Sequence, residues 1–184
     1  MSEEKVVLVN RKDQQIGLMN KQEAHIKGVL HRAFSIFIFN SNNELLLQQR
    51  AHEKYHSAGL WTNTCCSHPR DKESVVDAAN RRLDEEMGMK CNLEKTFDFI
   101  YRAKMPNDLI EHEFDHVLFG FSDSQPKINK DEVASYKYTS LNDLKKDILE
   151  NPDIYTEWFK ICLSEVLERA KDFNQKLIKN TKQT

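Results

Sequence analysis

The apolar positions of this chain change period as the sequence is read from its start. Lys5–Asn10 (KVVLVN) is a short apolar run that predicts a first strand. Ala33–Asn40 (AFSIFIFN) and Glu44–Gln49 (ELLLQQ) are β-prone runs joined by SNN, a spacing that predicts a hairpin. From Ser57 to Arg70 the pattern breaks into a stretch with Gly, Asn, Pro and Cys, which predicts a long functional loop. Lys72–Gly88 turns to helical spacing, with Val75, Val76, Ala79, Leu83 and Met87 on one side and Gly88 as the stop. Strands are expected at Lys95–Ala103 and Glu111–Ser122, a helix at Leu141–Glu150, and one or two more helices from Asp153 to about Lys179. Strands first, a helix in the middle and helices at the close predict an α+β or α/β sandwich, with mixed β-sheets flanked by helices.

Composition narrows the function classes. A chain of 184 residues fits one domain, 1–184, with a strand extension over 1–30 and closing helices over 141–180. Charged residues make up 30% of it and the net charge is −2, so no global field draws it to nucleic acid or to anionic lipid. Any anion site has to come from a local basic cluster. No apolar run approaches the roughly 20 residues that span a bilayer, and MSEEKVVLVN lacks a basic segment followed by an apolar one. The expectation is a cytoplasmic monomer without membrane or nucleic-acid partners, its four cysteines reduced. Adjacent Cys65 and Cys66 make a poor structural bridge, and no Cys-x-x-Cys pair exists, which excludes a zinc ribbon or a thioredoxin-type pair.

The middle helix carries an ordered set of charges. Glu73 precedes Arg81 by eight residues, and Arg82, Leu83, Asp84, Glu85, Glu86, Met87 and Gly88 follow. Positions 81 and 85, and 82 and 86, lie one turn apart, so a solvated face of Arg–Glu pairs is the plainest reading. The order is more particular than that. It resembles the Nudix box, G-x5-E-x7-R-E-U-x-E-E-x-G-U, with Glu73, Arg81, Leu83, Glu85, Glu86, Gly88 and Met89 in the matching places. Ser67 stands where the box has its first Gly, and Arg82 where it has a metal-binding Glu. A cation there removes a hard-metal ligand and adds a phosphate contact, which favours diphosphate binding over hydrolysis.

HRAFSIFIFN, LLLQQR, WTNTCCSHP, RRLDEEMG and EHEFD follow in that order. Together they resemble the type 1 isopentenyl-diphosphate delta-isomerases, a family of the Nudix superfamily, over residues 5–160. The resemblance implies a Nudix fold and movement of a C=C bond in a five-carbon diphosphate, in isoprenoid biosynthesis. Such chemistry needs an acid and a base on opposite faces of a flat substrate in a dry pocket. By motif those groups are Cys66 and Glu113, with Tyr101 beside Glu113 and Cys65 a bystander. The resemblance also implies a divalent ion (Zn2+, Mn2+ or Mg2+) on His25, His31, His68, Glu111 and Glu113. A Mg2+ bridging Glu86 to the diphosphate is the second implied ion. Lys21, Arg50, Lys54 and Arg82 match the family's phosphate contacts, Tyr101 and Trp158 match aromatic positions that face the carbocation, and Trp61 in the signature loop is expected to be a pocket wall.

The EHE segment points the same way by its own geometry. In a strand Glu111 and Glu113 share a face and His112 points opposite. Side by side, two carboxylates repel unless a cation or proton lies between them, although an exposed acidic strand edge also has this pattern. His52, His56, His112 and His116 match no role and are expected to be surface or structural. Two rivals remain at this level: a Nudix hydrolase of a nucleoside diphosphate derivative, and a non-catalytic metal- or partner-binding domain on the same fold.

Overall fold

The computed structural model describes residues 4–54 and 56–181. The strand that organises it is β3, His31–Phe39, whose residues from Ala33 on are buried on both faces. That explains the near-continuous apolar run AFSIFIF, since a strand covered on both sides has no polar face. Along its whole length β3 pairs in parallel with β8 (Ile110–Phe121). β8 pairs in turn with antiparallel β7 (Leu93–Lys104). On the other side β4 (Glu44–Arg50) pairs with β9 (Val133–Ser140) over most of its length.

The expected hairpin between β3 and β4 survives only at its turn. The two strands share a single register pair, Phe39↔Leu45, before each leaves for another partner. Asn40 makes that turn, its side-chain oxygen accepting from the amides of Asn42 and Glu44. The divergence opens the sheet beside β3. There the expected loop Ser57–Arg70 inserts two short strands, β5 (Trp61–Thr62) on β4 and β6 (Cys65–Ser67) on β3.

The alternation of side chains along β3 and β4 feeds two cores. Phe37, Phe39, Leu45 and Leu47 pack on one side with Phe119, Trp158, Phe159 and Val166. The last three belong to the long helix α4, Glu157–Thr181. Ile36, Ile38 and Leu46 pack on the other side with Cys65, Ala79, Leu83 and Met87. Ala79, Leu83 and Met87 are the buried stripe of α2, Val75–Met87, so the sheet is sandwiched between helices.

Helix α2 begins at Val75, three residues later than its spacing suggests, because Ser74 caps it by accepting from the Asp77 amide. Val76 is 40% exposed, against expectation. At 100° per residue Val76 points within about 20° of Leu83, so its exposure comes from its place in the first turn, at the edge of the core, and not from its side of the helix. Gly88 closes the helix at φ 59°, and a Cβ there would lie 2.6 Å from the Lys127 carbonyl oxygen.

Three further elements are absent from the periodicity reading. They are β2 (Gln15–Asn20), the two-turn helix α1 (Lys21–Lys27) and β9. The helix α3 occupies Leu141–Glu150 as expected. Among the described residues no helix is long and apolar enough to cross a membrane, and all four cysteines are free thiols.

Candidate active site

The parallel register of β3 on β8 sets His31 directly beside Glu113. Glu111 and Glu113 share the inner face of β8 and are 4% and 7% exposed, which rules out an exposed acidic edge. Two residues along the same face Asp115 is buried too and accepts from the Ser35 hydroxyl at 2.8 Å. Burial, helped by the charge of Glu113, pushes the Asp115 carboxyl well above the usual range. Helix α1, capped by Asn20, delivers buried His25, and the loop leaving β6 delivers His68.

His25, His31, His68 and Glu113 offer ligand atoms that all lie within 4.8 Å of one another. His31 Nδ1 donates to the Val29 carbonyl at 2.8 Å, since a carbonyl only accepts, and this aims Nε2 into the group. His68 Nε2 lies 2.9 Å from Glu113 Oε1, and His31 Nε2 lies 3.5 Å from the same oxygen. Glu111 flanks the group, its Oε2 3.4 Å from His25 Nε2. His31 Nε2, His68 Nδ1 and Glu111 Oε2 are buried and make no hydrogen bond. Orphaned buried atoms of this kind are costly, and imidazole nitrogens with carboxylate oxygens make a donor set that fits a divalent cation.

Beside this group lies a cavity of about 210 Å³. Cys66 and Glu113 both line it, as do Tyr101 and Trp158. Burial pushes the Cys66 thiol up to about 12, although Arg50 pulls it back in part, so the sulfur keeps its proton. Burial also disfavours the Glu113 charge, but His31 with the Tyr101 hydroxyl outweighs it and brings the carboxyl down to about 2. Tyr101 faces Glu113 across β7 and β8 and donates to its Oε2 at 2.7 Å.

The cavity also carries a set of cations. Lys21, Arg50, Lys54 and Arg82 line it together with Glu86. Lys21 is the first residue of α1, while Arg82 and Glu86 are one turn apart on α2, 2.5 Å at their closest. Of the residues singled out from the sequence, Trp61 alone among the expected pocket walls is not on the lining. Its ring instead lies 4.5 Å from Lys137 Nζ. His25 and His31 stand behind the wall that His68 and Glu113 form.

Six lining residues are not among the site residues expected from the sequence: Glu4, Phe34, Gln48, His56, Ser67 and Glu132. Gln48 donates to Glu86 Oε2 at 3.0 Å, and its place in an apolar strand was the only available signal. Glu132 bonds Lys54 and stands 3.3 Å from Arg82. Glu4 bonds Lys21 at 3.2 Å. His56 was expected to be surface or structural but is 8% exposed and reaches Glu111 at 3.3 Å. His52 is exposed, while His112 bonds the Gly28 carbonyl and His116 bonds Asp13, both structural as expected.

A family model described as NUDIX domain matches residues 29–159. A protein of Pectobacterium atrosepticum named isopentenyl-diphosphate Delta-isomerase is 52% identical over 161 residues, covering 88% of this chain and 90% of that protein. One of Photorhabdus laumondii, named isopentenyl-diphosphate Delta-isomerase 2, is 55% identical and covers 96% of this chain and 99% of its own length. The chain belongs to the isopentenyl-diphosphate Delta-isomerase family.

Solved structures carry the same fold at low identity. The crystal structure of DR0079 from Deinococcus radiodurans superposes with a TM-score of 0.71 at 18% identity, covering 91% of this chain and 99% of that one. A MutT protein from Methanosarcina mazei gives 0.61 at 19% identity, covering 79% and 95%. In this isomerase-family chain the cavity keeps the Nudix helix on its lining through Arg82 and Glu86, with Arg82 in place of one of the box carboxylates.

Proposed function

We propose that this chain interconverts isopentenyl and dimethylallyl diphosphate, with Cys66 and Glu113 as the groups that move protons. The observation that carries the reading is that the Cys66 thiol and the Glu113 carboxylate line one cavity together with four cations. The cations Lys21, Arg50, Lys54 and Arg82 hold the diphosphate, leaving the five-carbon chain among Cys66, Tyr101, Trp158 and Glu113.

The Cys66 S–H gives its proton to the terminal alkene carbon, the π pair forms the new C–H bond, and sulfur keeps the S–H pair. A tertiary cation remains on the substrate. The neighbouring C–H bond then breaks, its proton goes to a Glu113 oxygen, and its electrons close the new double bond. Starting from thiolate and carboxylic acid, the same pair runs the reverse reaction. The faces of Trp158 and Tyr101 offer negative quadrupole to the cation. The buried wall keeps water from trapping it.

His25, His31, His68 and Glu113, with Glu111 beside them, would hold one divalent ion, and Glu86 would hold magnesium against the diphosphate. Bound there, such ions supply fixed positive charge that orients the Glu113 carboxylate, tunes its acidity and neutralises phosphate oxygens.

Isopentenyl diphosphate supplied in deuterated water tests the reading. The expected result is deuterium in dimethylallyl diphosphate with no phosphate released. Phosphate released from a nucleoside diphosphate derivative, with no labelled isomer, would overturn it in favour of a hydrolase.

A further inference from the structure

His56 stands on the cavity wall between the histidine–carboxylate group and Trp158. Its Nε2 is 3.3 Å from Glu111 Oε1, while the other oxygen of that carboxylate is 3.4 Å from His25 Nε2. On the far side of the ring Nδ1 is 3.3 Å from the Ser57 hydroxyl oxygen. The ring meets Trp158 edge to face, centroids 6.1 Å apart and planes at 83°. Arg50 closes the arrangement, donating to the His56 carbonyl at 3.3 Å with its guanidinium 5.3 Å above the Trp158 ring.

A neutral imidazole has one N–H and one lone pair. The tautomer with its hydrogen on Nε2 faces the Glu111 oxygen and leaves Nδ1 to accept from the Ser57 hydroxyl, which satisfies both contacts. A carboxylate held through one oxygen has the direction of its other oxygen set as well. His56 lies outside the four residues whose ligand atoms converge, so it acts on the group through Glu111.

We infer that His56 is a positioning residue that turns the Glu111 carboxylate toward His25 and props the Trp158 ring against the cavity. The inference rests on the proposed reading of His25 and Glu111 as metal ligands. Nothing in the Nudix helix or the Cys66 block calls for it, because His56 belongs to neither and lies between β4 and β5.

The test is titration of the metal-free full-length chain with Zn2+ or Mn2+, compared across two substitutions. His56→Phe keeps a ring against Trp158 and removes the donor. It is expected to weaken metal binding by roughly 10–100-fold, with KM for the diphosphate unchanged and kcat recovering as metal is raised. His56→Gln keeps a donor and is expected to bind metal within about threefold of the parent chain, by the same outer-shell argument. Metal affinity unchanged in His56→Phe would overturn the inference. So would equal losses in both variants, which would make the imidazole a ligand in its own right. Should His56→Phe not fold, as read by circular dichroism, His56→Leu carries the same expectation and the same refutation. If the parent chain itself binds neither ion, the metal reading fails instead, a result distinct from any of these.

Discussion

Tyr101 and Glu113 are register partners on β7 and β8, and the phenol holds one carboxylate oxygen at 2.7 Å while His68 meets the other at 2.9 Å. The carboxylate is therefore fixed in orientation from two sides before any substrate arrives. Removing the phenol hydroxyl tests how much that matters. A hydrogen bond to a charged group contributes roughly 1.5–3 kcal/mol, so Tyr101→Phe is expected to lower kcat by about 10–100-fold. Metal content, measured by mass spectrometry, should stay as in the parent chain.

The two adjacent cysteines separate by environment. Cys66 lines the cavity, while Cys65 is fully buried against Leu46, Ala79 and Leu83. Cys66→Ala is expected to end turnover with fold and metal content intact. Cys65→Ala should turn over normally. Cys65→Ser should keep its rate per folded molecule, because the hydroxyl has the Glu86 carboxylate beside it as an acceptor. Normal isomerisation by Cys66→Ala would remove that thiol from the mechanism.

Chelation should abolish activity and lower Tm together. The ligand atoms that meet within 4.8 Å converge only in the folded chain, so a cation bound there favours the native state. A ligand at 100 times its Kd stabilises the native state by about 2.7 kcal/mol, so Tm should rise with added metal and fall with chelator. A melting curve insensitive to both would count against the ion site.

His116 gives a pH signature away from the cavity. Its Nε2 sits 3.0 Å from Asp13 Oδ2, and burial with help from Lys95 holds the imidazole below 6.5 despite Asp13. As pH falls through 6.5 the unfolded chain takes up this proton first. The contribution to stability is thus complete above that pH and is lost on acidification toward the folded-state value. In urea unfolding between pH 8 and 5 (~3 pH units around the ordinary value), His116→Asn should lose less stability than the parent chain.

Gly88 is the backbone test. At φ 59° with a built Cβ 2.6 Å from a carbonyl oxygen, any side chain strains the α2 terminus. Gly88→Ala is expected to cost about 1–2 kcal/mol from the left-handed conformation alone, with the clash adding to it. Calorimetry that finds no loss would show that the Lys127 segment moves aside freely.

How much of this was legible beforehand varies by element. The apolar run of β3 and the stripe of α2 are strong periodic signals, and both elements form. The short helix α1 spans two turns, too few for periodicity to register, yet it carries Lys21 and His25 to the site. Trp61 shows the opposite failure. Its place in the signature block WTNTCCSHP suggested a pocket wall, but β5 turns its ring toward Lys137.

The candidate groups could be named from the chain because the ordered blocks that hold them resemble a known family; residue identity alone does not choose among seven histidines and four cysteines. Their partners could not. His56 meets Glu111 from 55 positions away along the chain, and Glu132 meets Lys54 from 78 positions away. One-dimensional spacing reports which side of a strand or helix a residue occupies. Which strands lie side by side, and therefore which charges share a cavity, is decided by how β3 splays from β4 and takes β8 as its parallel neighbour.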